Sequence, residues 1–554
     1  MVIPHKINII ELQRCAEIIA SKLIAYDEDV LKRFENYDIE PSICNAFRDA
    51  QKLVAKENGF SHWSGLLLSR DHSQATIQER AMLFSHYACL EYWGNDDVKR
   101  RMQAEALLSD TPQIVDNDIY AAAAANDFEA LKKQLIVDER LATAIGGPRG
   151  WPPILYVCYS RIKENLPHTD SLVLLRLLLD HGADANAHII CPDLGGWKWS
   201  GITGAMGEGE HGLLQQPPHS RARELVELLL NNGADPNDAQ GLYNTMFSGK
   251  DDWLELLLQY GLNGEDCVTP GKQLKTLDYQ LSQAVKRGLA IRVELLIDHG
   301  ADVMTADVYN GKSVYENALL EGYPQIASRL VDKGAKPVSL SIEDQFKSAY
   351  MVGDKETSER LLSENPELLK PGQLNQAVRN QTGVSLLIDL GSDPNQPDSM
   401  GGRVALHEAA WLGEMDVIKI LIDAGADTDI RESAHNTSPI GFADHAGQVI
   451  ARDYLLNYSC DIETLIFHGC ADRLKSFLEE NPEYIDKRLN SSGHKPIHVI
   501  NKKADETIGV LLSFGADLNE VTDAGETPLE IANKNKNKEA IDALILHGAN
   551  NEKG

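Results

Sequence analysis

The sequence predicts an all-α solenoid: short helical repeats stacked behind a helical N-terminal domain. A leucine-rich helix that ends in Gly-Ala-Asp, or in a close variant, recurs along the chain. The closest copies lie 33 or 34 residues apart, and a fixed period of this size is typical of repeat architectures. The length of 554 residues agrees with this prediction, because a single compact core rarely organises so long a chain.

Each copy of this phrase predicts the end of a helix. Glycine there takes the left-handed backbone conformation that a Cβ atom would penalise. Asp and Asn favour the turn that follows, because their side chains bond nearby backbone amides. The glycines of the eight copies are Gly182, Gly233, Gly300, Gly334, Gly391, Gly425, Gly515 and Gly548.

A second helix signal precedes several copies: Ser, Thr or Pro opens a short helix with small Ala positions. It is clear in ALHEAAWLGEMDVIKILIDAGAD, residues 405–427, and in TPLEIANKN, residues 527–535. A period of 33 with a Thr-Pro-Leu-His-x-Ala pattern resembles the ankyrin repeat, most strongly between residues 402 and 427. We interpret His407 and His498, which occupy the His position of this pattern, as structural hydrogen-bonding groups.

The repeat pattern predicts an N-terminal helical domain over residues 1–112 and an ankyrin-repeat array of about thirteen repeats over residues 113–554. Apolar residues spaced three and four apart predict amphipathic helices in the N-terminal domain. Three degenerate copies lack Gly-Ala-Asp and end in a longer acidic tail. Each could begin a sub-array, at 113–340, 341–461 and 462–554, or could reflect drift at turns that were free to change.

The composition restricts the class of partner. A net charge of −30 argues against nucleic acid and membrane surfaces, because phosphate binding needs clustered Lys and Arg. It is compatible with a simply solvated surface or with a basic protein partner. The eight cysteines form no CxxC pair, no segment of 18 apolar residues occurs and no secretory signal is recognisable, so we expect a reduced, cytoplasmic protein.

The stretch TGAMGEGEHGLLQQPPHS, residues 203–220, interrupts the repeat pattern. The helix predicted at 222–232 begins about twelve residues later than a regular repeat allows, so residues 210–221 are interpreted as an insertion. The turn at 186–201 is also too long, and residues 161–170 form another insertion in the preceding repeat. Long loops in compact arrays are more often functional than neutral.

These insertions and the turn before them predict one partner-binding surface, with two exposed Trp as apolar anchors. The alternative is that the two Trp pack over the stretched repeat as local core. Replacing residues 210–221 by a short link is then expected to cost little stability. The predicted surface comprises Arg149, Trp151, Trp197, Trp199, Glu208, Glu210, His211 and His219.

Two other interpretations of the insertions stay open. The loop could simply fold over the stack, with its Glu and His side chains capping helix ends. Alternatively, a small-ligand or metal-assisted enzymatic site could be built from His188, Glu208, Glu210, His211 and His219. No HExxH motif or nucleophile accompanies these residues, so we assign no catalytic residue, metal ligand or cofactor.

The region from Asp49 to Phe247 resembles a group of bacterial ankyrin-repeat proteins. The resemblance rests on DAQKLVAKENGFSHW, GGPRGWPPILYVCYSR, TGAMGEGEHG and GADPNDAQGLYNTMF. It implies the fold, an N-terminal helical cap and a binding role, and it supplies no catalytic residues. We therefore expect an intracellular scaffold for protein–protein interaction that is not an enzyme. A secreted bacterial effector or immunity-type protein with the same array is the alternative.

Overall fold

The computed structural model describes residues 9–37, 39–41, 46–60, 63–68, 75–92, 96, 98–191, 197–209, 215–246, 250–264, 268–269, 274–399 and 401–549. The chain divides into two compact units. The first unit contains Met1–Ala318 and Gln325–Pro337, and the second contains Leu319–Pro324 and Val338–Gly554. None of the described helices combines the length and the hydropathy that crossing a membrane requires.

The N-terminal segment is helical, as the apolar spacing predicts. Its described helices are Ile9–Ile24, Glu28–Glu35, Ala46–Glu57, Trp63–Leu68, Ile77–Ala88 and Val98–Asp110. Backbone hydrogen bonds join this segment to the repeats that follow it: the Leu90 amide donates to Tyr159 at 2.9 Å, and the Arg161 amide donates to Ala88 at 2.8 Å. The N-terminal segment therefore belongs to the same compact unit as the first repeats, and the domain border at residue 112 stays a prediction.

The repeats of the first unit consist of short helices, usually in pairs. The α-helices from residue 113 to the end of this unit are Ile119–Ala124, Phe128–Val137, Pro153–Tyr159, Ser171–Asp180, Gly201–Met206, Ala222–Asn231, Ala239–Thr245, Asp252–Gln259, Thr276–Lys286, Ala290–Asp298, Val314–Leu320 and Pro324–Asp332. Short 3-10 turns lie at Pro112–Val115 and Glu139–Ala142. The predicted helix at 222–232 is thus confirmed to within one residue.

The second unit continues the helix pairs. Its α-helices are Ile342–Val352, Lys355–Glu364, Gln373–Ala377, Gln381–Asp389, Ala405–Leu412, Met415–Asp423, Pro439–His445, Val449–Leu456, Ile462–Phe467, Ala471–Glu480, Ala504–Ser513, Pro528–Lys534 and Lys538–Leu546, with 3-10 turns at Pro366–Leu368, Pro482–Asp486 and Pro496–Val499. Its buried apolar residues form one cluster over residues 346–456 and two more over 462–511 and 504–549. The sub-array borders stay a prediction.

The turns after the helices have the predicted geometry. All eight glycines of the recurring phrase adopt a positive φ, between +85° and +105°. Asn395, four residues after one of these glycines, donates from Nδ2 to the carbonyl of Gly425 at 2.9 Å and accepts from the amide of Asp427 at 2.8 Å. The turn of one repeat is therefore fastened to the turn of the next.

The structural role predicted for the two pattern histidines is confirmed. His407 Nδ1 accepts from the amide of Val404 at 3.2 Å, and Nε2 donates to the carbonyl of Thr437, in the following repeat, at 3.1 Å. Burial lowers the pKa of His407 and keeps the ring neutral, as this pair of bonds requires. His498 makes the equivalent bonds to Lys495 and Glu520.

Two small antiparallel sheets interrupt the helices. His188–Cys191 pairs with Trp197–Ser200, with Ile189 opposite Trp199, and Val268–Thr269 pairs with Leu274–Lys275. The long turn at 186–201, expected to be an extended loop, is therefore a hairpin. Its cross-strand hydrogen bonds satisfy backbone groups that an isolated extended loop would leave to solvent.

Candidate functional site

The structure describes most of the residues predicted to bind a partner. Arg149, Trp151, Trp199, Glu208 and His219 are described in full. Of Trp197 only the backbone is described, as the first residue of a strand. Glu210 and His211 lie outside the described residues. His188 is described and exposed, and its ring Nδ1 lies 2.9 Å from the carbonyl oxygen of Asn186, two residues earlier.

Arg149 fastens the N-terminal segment to the first repeat. Its guanidinium donates to the carbonyl oxygens of His86 at 2.7 Å and Cys89 at 2.9 Å. The same guanidinium lies 4.8 Å from the ring centroid of Trp151, a cation–π contact. Trp151 itself is buried and packs against Tyr159, with ring centroids 5.0 Å apart.

The N-terminal helices also cover the glycine-rich turn that precedes Trp151. The side-chain amide of Gln51 donates to the carbonyl of Pro148 at 2.7 Å, and that of Gln13 donates to Gly147 at 3.2 Å. A Cβ atom on Gly150 would come within 2.7 Å of the Phe47 ring. This turn is therefore an internal contact of the first unit.

Trp199 lies inside the first unit and is only 3% exposed. Its ring packs against Tyr92 of the N-terminal segment, with centroids 4.5 Å apart. The Tyr92 hydroxyl donates to the carbonyl of Thr203 at 3.2 Å, and burial raises the pKa of this phenol. The hairpin and the start of the next helix are thus held against the N-terminal segment.

Backbone hydrogen bonds join the 210–221 insertion to the segment that precedes it. The amide of Glu208 donates to the carbonyl of Gln216 at 2.7 Å, and the amide of His219 donates to Ala205 at 3.0 Å. Glu208 has a φ of +59° and is 7% exposed, and its Oε2 makes no hydrogen bond to the described part of the chain. The insertion therefore begins and ends as a closed, internally bonded loop.

Arg161 connects this loop to the preceding repeat. Its Nε donates to the carbonyl of Pro217 at 2.6 Å, and one terminal nitrogen donates to Gly204 at 2.7 Å. The other terminal nitrogen donates to Ser160 at 2.7 Å. All three acceptors are carbonyl oxygens, so the guanidinium satisfies backbone groups that loops and helix ends leave unpaired.

The two insertions contact each other. Glu164, in the 161–170 insertion, accepts from the Ser220 hydroxyl at 3.2 Å, and its Oε1 lies 4.0 Å from Nε2 of His219. Arg221 pairs with Asp170 at 3.2 Å. His219 is 3% exposed. Burial, reinforced by Arg161 and Arg221, lowers the pKa of His219 to about 3.

The open surface expected from the sequence is therefore not formed by Trp151, Trp199, Glu208 and His219, which are buried. The sequence showed that the loops are long, and it did not show that the N-terminal segment covers them. A binding role for these residues stays a prediction. Within the described ranges, no group of three or more His, Cys, Asp or Glu side chains could hold a metal ion.

The second unit contains a cluster of aromatic and cationic side chains, with two exposed rings, that the sequence interpretation missed. Trp411 is 44% exposed, and its ring centroid lies 6.0 Å from that of Phe442 in the neighbouring repeat, which is only 9% exposed. The Arg403 guanidinium lies 5.3 Å from the Phe442 centroid. Phe467 is 46% exposed, with the Lys502 ammonium 5.9 Å from its centroid. We call these five residues the aromatic face.

A sequence signal for the aromatic face exists. Trp411 and Phe467 each stand two residues before the glycine that follows the first helix of a repeat, Gly413 and Gly469. The small Ala positions earlier in the helix at 405–412 are buried, so a large ring near its end is not needed for the core. Comparing that one position between repeats would have identified both rings.

The comparisons with known proteins agree with the repeat geometry. A model of the ankyrin repeat family matches residues 401–433. The E3 ubiquitin-protein ligase KEG of Arabidopsis thaliana is 32% identical over 114 residues, which are 20% of this chain and 7% of the ligase. Ankyrin repeat protein nuc-2 of Neurospora crassa is 26% identical over 30% of this chain and 14% of its own length.

A third relative, human ankyrin repeat and SOCS box protein 6, is 27% identical over 26% of this chain and 30% of its own length. The chain thus spans less than a third of the length of each of these relatives. Two of the three names contain the words ankyrin repeat, and the ligase activity named in the first belongs to that protein. The family match and the all-α architecture together identify an ankyrin-repeat fold, as the period of 33 residues predicts.

Proposed function

We propose that this protein is an intracellular scaffold that binds other proteins through its ankyrin repeats, and that it is not an enzyme. The observation that carries the proposal is how the polar residues of the repeat pattern are used. The side chains of His407, His498 and Asn395 each form a hydrogen bond to a backbone carbonyl further along the chain, which holds one repeat to the next. These bonds fix neighbouring repeats to one another, and a stack of this kind presents an extended surface on which a partner can bind.

Two further observations support an intracellular binding protein. Among the described residues, Cys15, Cys89, Cys158, Cys460 and Cys470 are free thiols, which is typical of a reducing compartment. The chain has 83 Asp and Glu against 53 Lys and Arg, so most of its surface is expected to attract basic regions of a partner protein. Bacterial origin remains a prediction from the resemblance of residues 49–247.

The enzymatic alternative receives less support. His219 is buried and neutral over most of the pH range, and its Nε2 faces Glu164 of the neighbouring insertion. The backbone of Glu208 is used in closing the insertion. A general acid and base need access to a substrate, and these two side chains have little.

We propose that the buried members of the predicted surface act on binding indirectly, by holding the N-terminal segment and the insertions in place. The residues with this role are Arg149, Trp151, Trp199, Glu208 and His219. Direct contact with a partner is left to the residues of the insertions that are not described in full, Trp197, Glu210 and His211.

Reconstitution tests the proposal. Proteins captured by the full chain are purified and mixed with it, and complex formation is measured by isothermal titration calorimetry. We expect at least one protein to form a stoichiometric complex with a Kd of about 10 µM or tighter, the range of specific interfaces. Turnover of a small molecule by the full chain, with no protein complex found, would overturn the proposal.

A further inference from the structure

Two rings of the aromatic face, Trp411 and Phe467, are exposed, whereas comparable rings of the second unit are buried. Phe346 and Tyr350 are each 1% exposed and lie in the core, whereas almost half of Trp411 and of Phe467 contacts solvent. Exposing large rings is unfavourable unless they are covered by something else for part of the time. Trp in particular is over-represented among the residues that dominate binding energy.

The five residues of the aromatic face follow one another across adjacent repeats. The helices Ala405–Leu412 and Pro439–His445 pack side by side, which brings Trp411 next to Phe442. Asp444 lies on the second of these helices and interacts electrostatically with His468, whose ring is 5.1 Å from that of Phe467. The backbone amide of Lys502, in the next repeat, donates to the carbonyl of Phe467 at 3.4 Å. This bond places the Lys502 side chain beside the Phe467 ring.

The cations of this face are the second observation. In the described part of the second unit, neither Arg403 nor Lys502 makes an ion pair or a hydrogen bond through its charged group, although Lys502 is close enough to help lower the pKa of Asp444. Nearby cations do pair with carboxylates: Arg431 with Asp461 at 2.6 Å and Arg452 with Asp444 at 2.9 Å. The chain has 30 more acidic than basic residues, so a shortage of carboxylates does not explain why Arg403 and Lys502 lack the ion pairs that Arg431 and Arg452 form.

We propose that the aromatic face binds an acidic segment of another protein. An apolar side chain of that segment packs against the exposed ring of Trp411, and its carboxylates pair with Arg403 and Lys502. This inference rests on the proposed scaffold function and names the class of partner for one surface. The net charge of −30 does not prevent it, because charges beyond about 8 Å are largely screened at physiological ionic strength.

The experiment uses a phage-displayed library of random twelve-residue peptides, selected on the full chain. We expect the selected peptides to be enriched in Asp and Glu together with Leu, Phe or Trp. Fluorescence anisotropy with labelled copies then measures affinity. Trp411→Ala is expected to weaken binding about 30-fold, the loss typical of a central interface Trp. Arg403→Gln and Lys502→Gln are each expected to weaken it about 5-fold, and added salt should reduce that difference.

Matched variants separate contact from unfolding. Glu408 lies one turn before Trp411 on the same helix, so Glu408→Gln should strengthen binding of acidic peptides about 2-fold. Ile450→Ala and Arg360→Gln change an exposed apolar side chain and an exposed cation on the second helices of their repeats, and both should leave affinity unchanged. Trp411→Phe keeps an aromatic ring and should recover most of the binding that Trp411→Ala loses, which a folding defect would not predict.

Several outcomes would overturn this inference. Selected peptides that bind Trp411→Ala as tightly as the wild type would place the binding site elsewhere. Selected peptides that are enriched in Lys and Arg would show that the site prefers the opposite charge. A dimer that dissociates on Trp411→Ala, seen by analytical ultracentrifugation, would make a second copy the occupant. If no peptide is selected while a protein complex is still reconstituted, the inference fails and the scaffold function stands. If neither occurs, both fail.

Discussion

The insertion region of the first unit and the regular repeat of the second unit use glycine for different physical reasons. In the regular repeat, Gly425 has a φ of +87°, and no atom would lie within 4 Å of an added Cβ. In the insertion region, Gly204 lies within a helix, and an added Cβ would overlap the ring of Tyr159. One glycine serves backbone conformation and the other serves close packing.

The polar contacts of the two regions differ in how far apart in the sequence the bonded residues lie. In the regular repeat Asn395 reaches Gly425, 30 residues away and one repeat further on. In the insertion region Arg161 reaches Pro217, 56 residues away, and Tyr92 reaches Thr203, 111 residues away. Periodic sequence therefore encodes contacts between neighbours, and the insertion depends on contacts that no local pattern announces.

The largest expected effect concerns the packing glycine. Gly204→Ala should lower the local free energy of opening by about 3 kcal/mol, because the methyl group must displace a buried ring. Gly425→Ala, its matched control, should cost only about 1 kcal/mol for a strained left-handed backbone. Hydrogen exchange of the flanking amides measures both, since a chain of two units need not unfold in one step. Equal costs would mean that the two glycines do not differ in role.

Arg161→Met comes next. Losing the guanidinium leaves the carbonyls of Gly204 and Pro217 without their partner, and we expect about 2.5 kcal/mol of destabilisation near the insertion. Arg223→Met removes an exposed pair with Glu227 and should cost less than about 0.5 kcal/mol. Faster exchange in residues 201–221, absent from the control, is the expected signature. A neutral Arg161→Met would show that the insertion contributes little to stability, as the sequence interpretation expected.

The stability of the insertion region should depend on pH because of the buried His219. Burial lowers the pKa of His219 to about 3, so the unfolded chain binds this proton more readily than the folded one. The stabilising effect is complete above pH 6.5 and declines as the pH falls toward 3, with about 2 kcal/mol lost by pH 5. His219→Gln should remove this part of the slope in urea titrations at pH 7 and pH 5. An unchanged slope in His219→Gln would contradict a buried, neutral imidazole.

The smallest expected effect tests what the two regions share. Asn186 bonds Gly233 and Asp235 in the first unit just as Asn395 bonds Gly425 and Asp427 in the second. Asn186→Ala and Asn395→Ala should each cost about 1 kcal/mol. Asn232→Ala removes only a bond within one helix end and should cost less. If the two bridging variants differ by more than about 1 kcal/mol, the repeat-to-repeat bond is not equivalent in the two units.

Periodicity alone was enough for the repeat architecture. The left-handed turn glycines, the roles of His407 and His498 and the helix pairs follow from residues less than about 35 positions apart, because each repeat contacts mainly its neighbours. The N-terminal helices were also predictable, since amphipathic spacing is local. The strand pair within residues 188–200 was not predicted, because each strand has only four residues and the sequence between the strands is rich in glycine.

Exposure, in contrast, was decided by the tertiary structure. The sequence left open whether Trp199 is an exposed anchor or local core, and the structure buries it because Tyr92 covers it from more than 100 residues away. Trp411 lies in a regular helix whose Ala side chains are buried, and it is itself 44% exposed. For residues of the insertions, exposure depends on which distant segment packs over them, and a local pattern carries no information about that segment. Long-range packing is therefore why we propose the aromatic face as a binding surface in addition to the residues of the insertions.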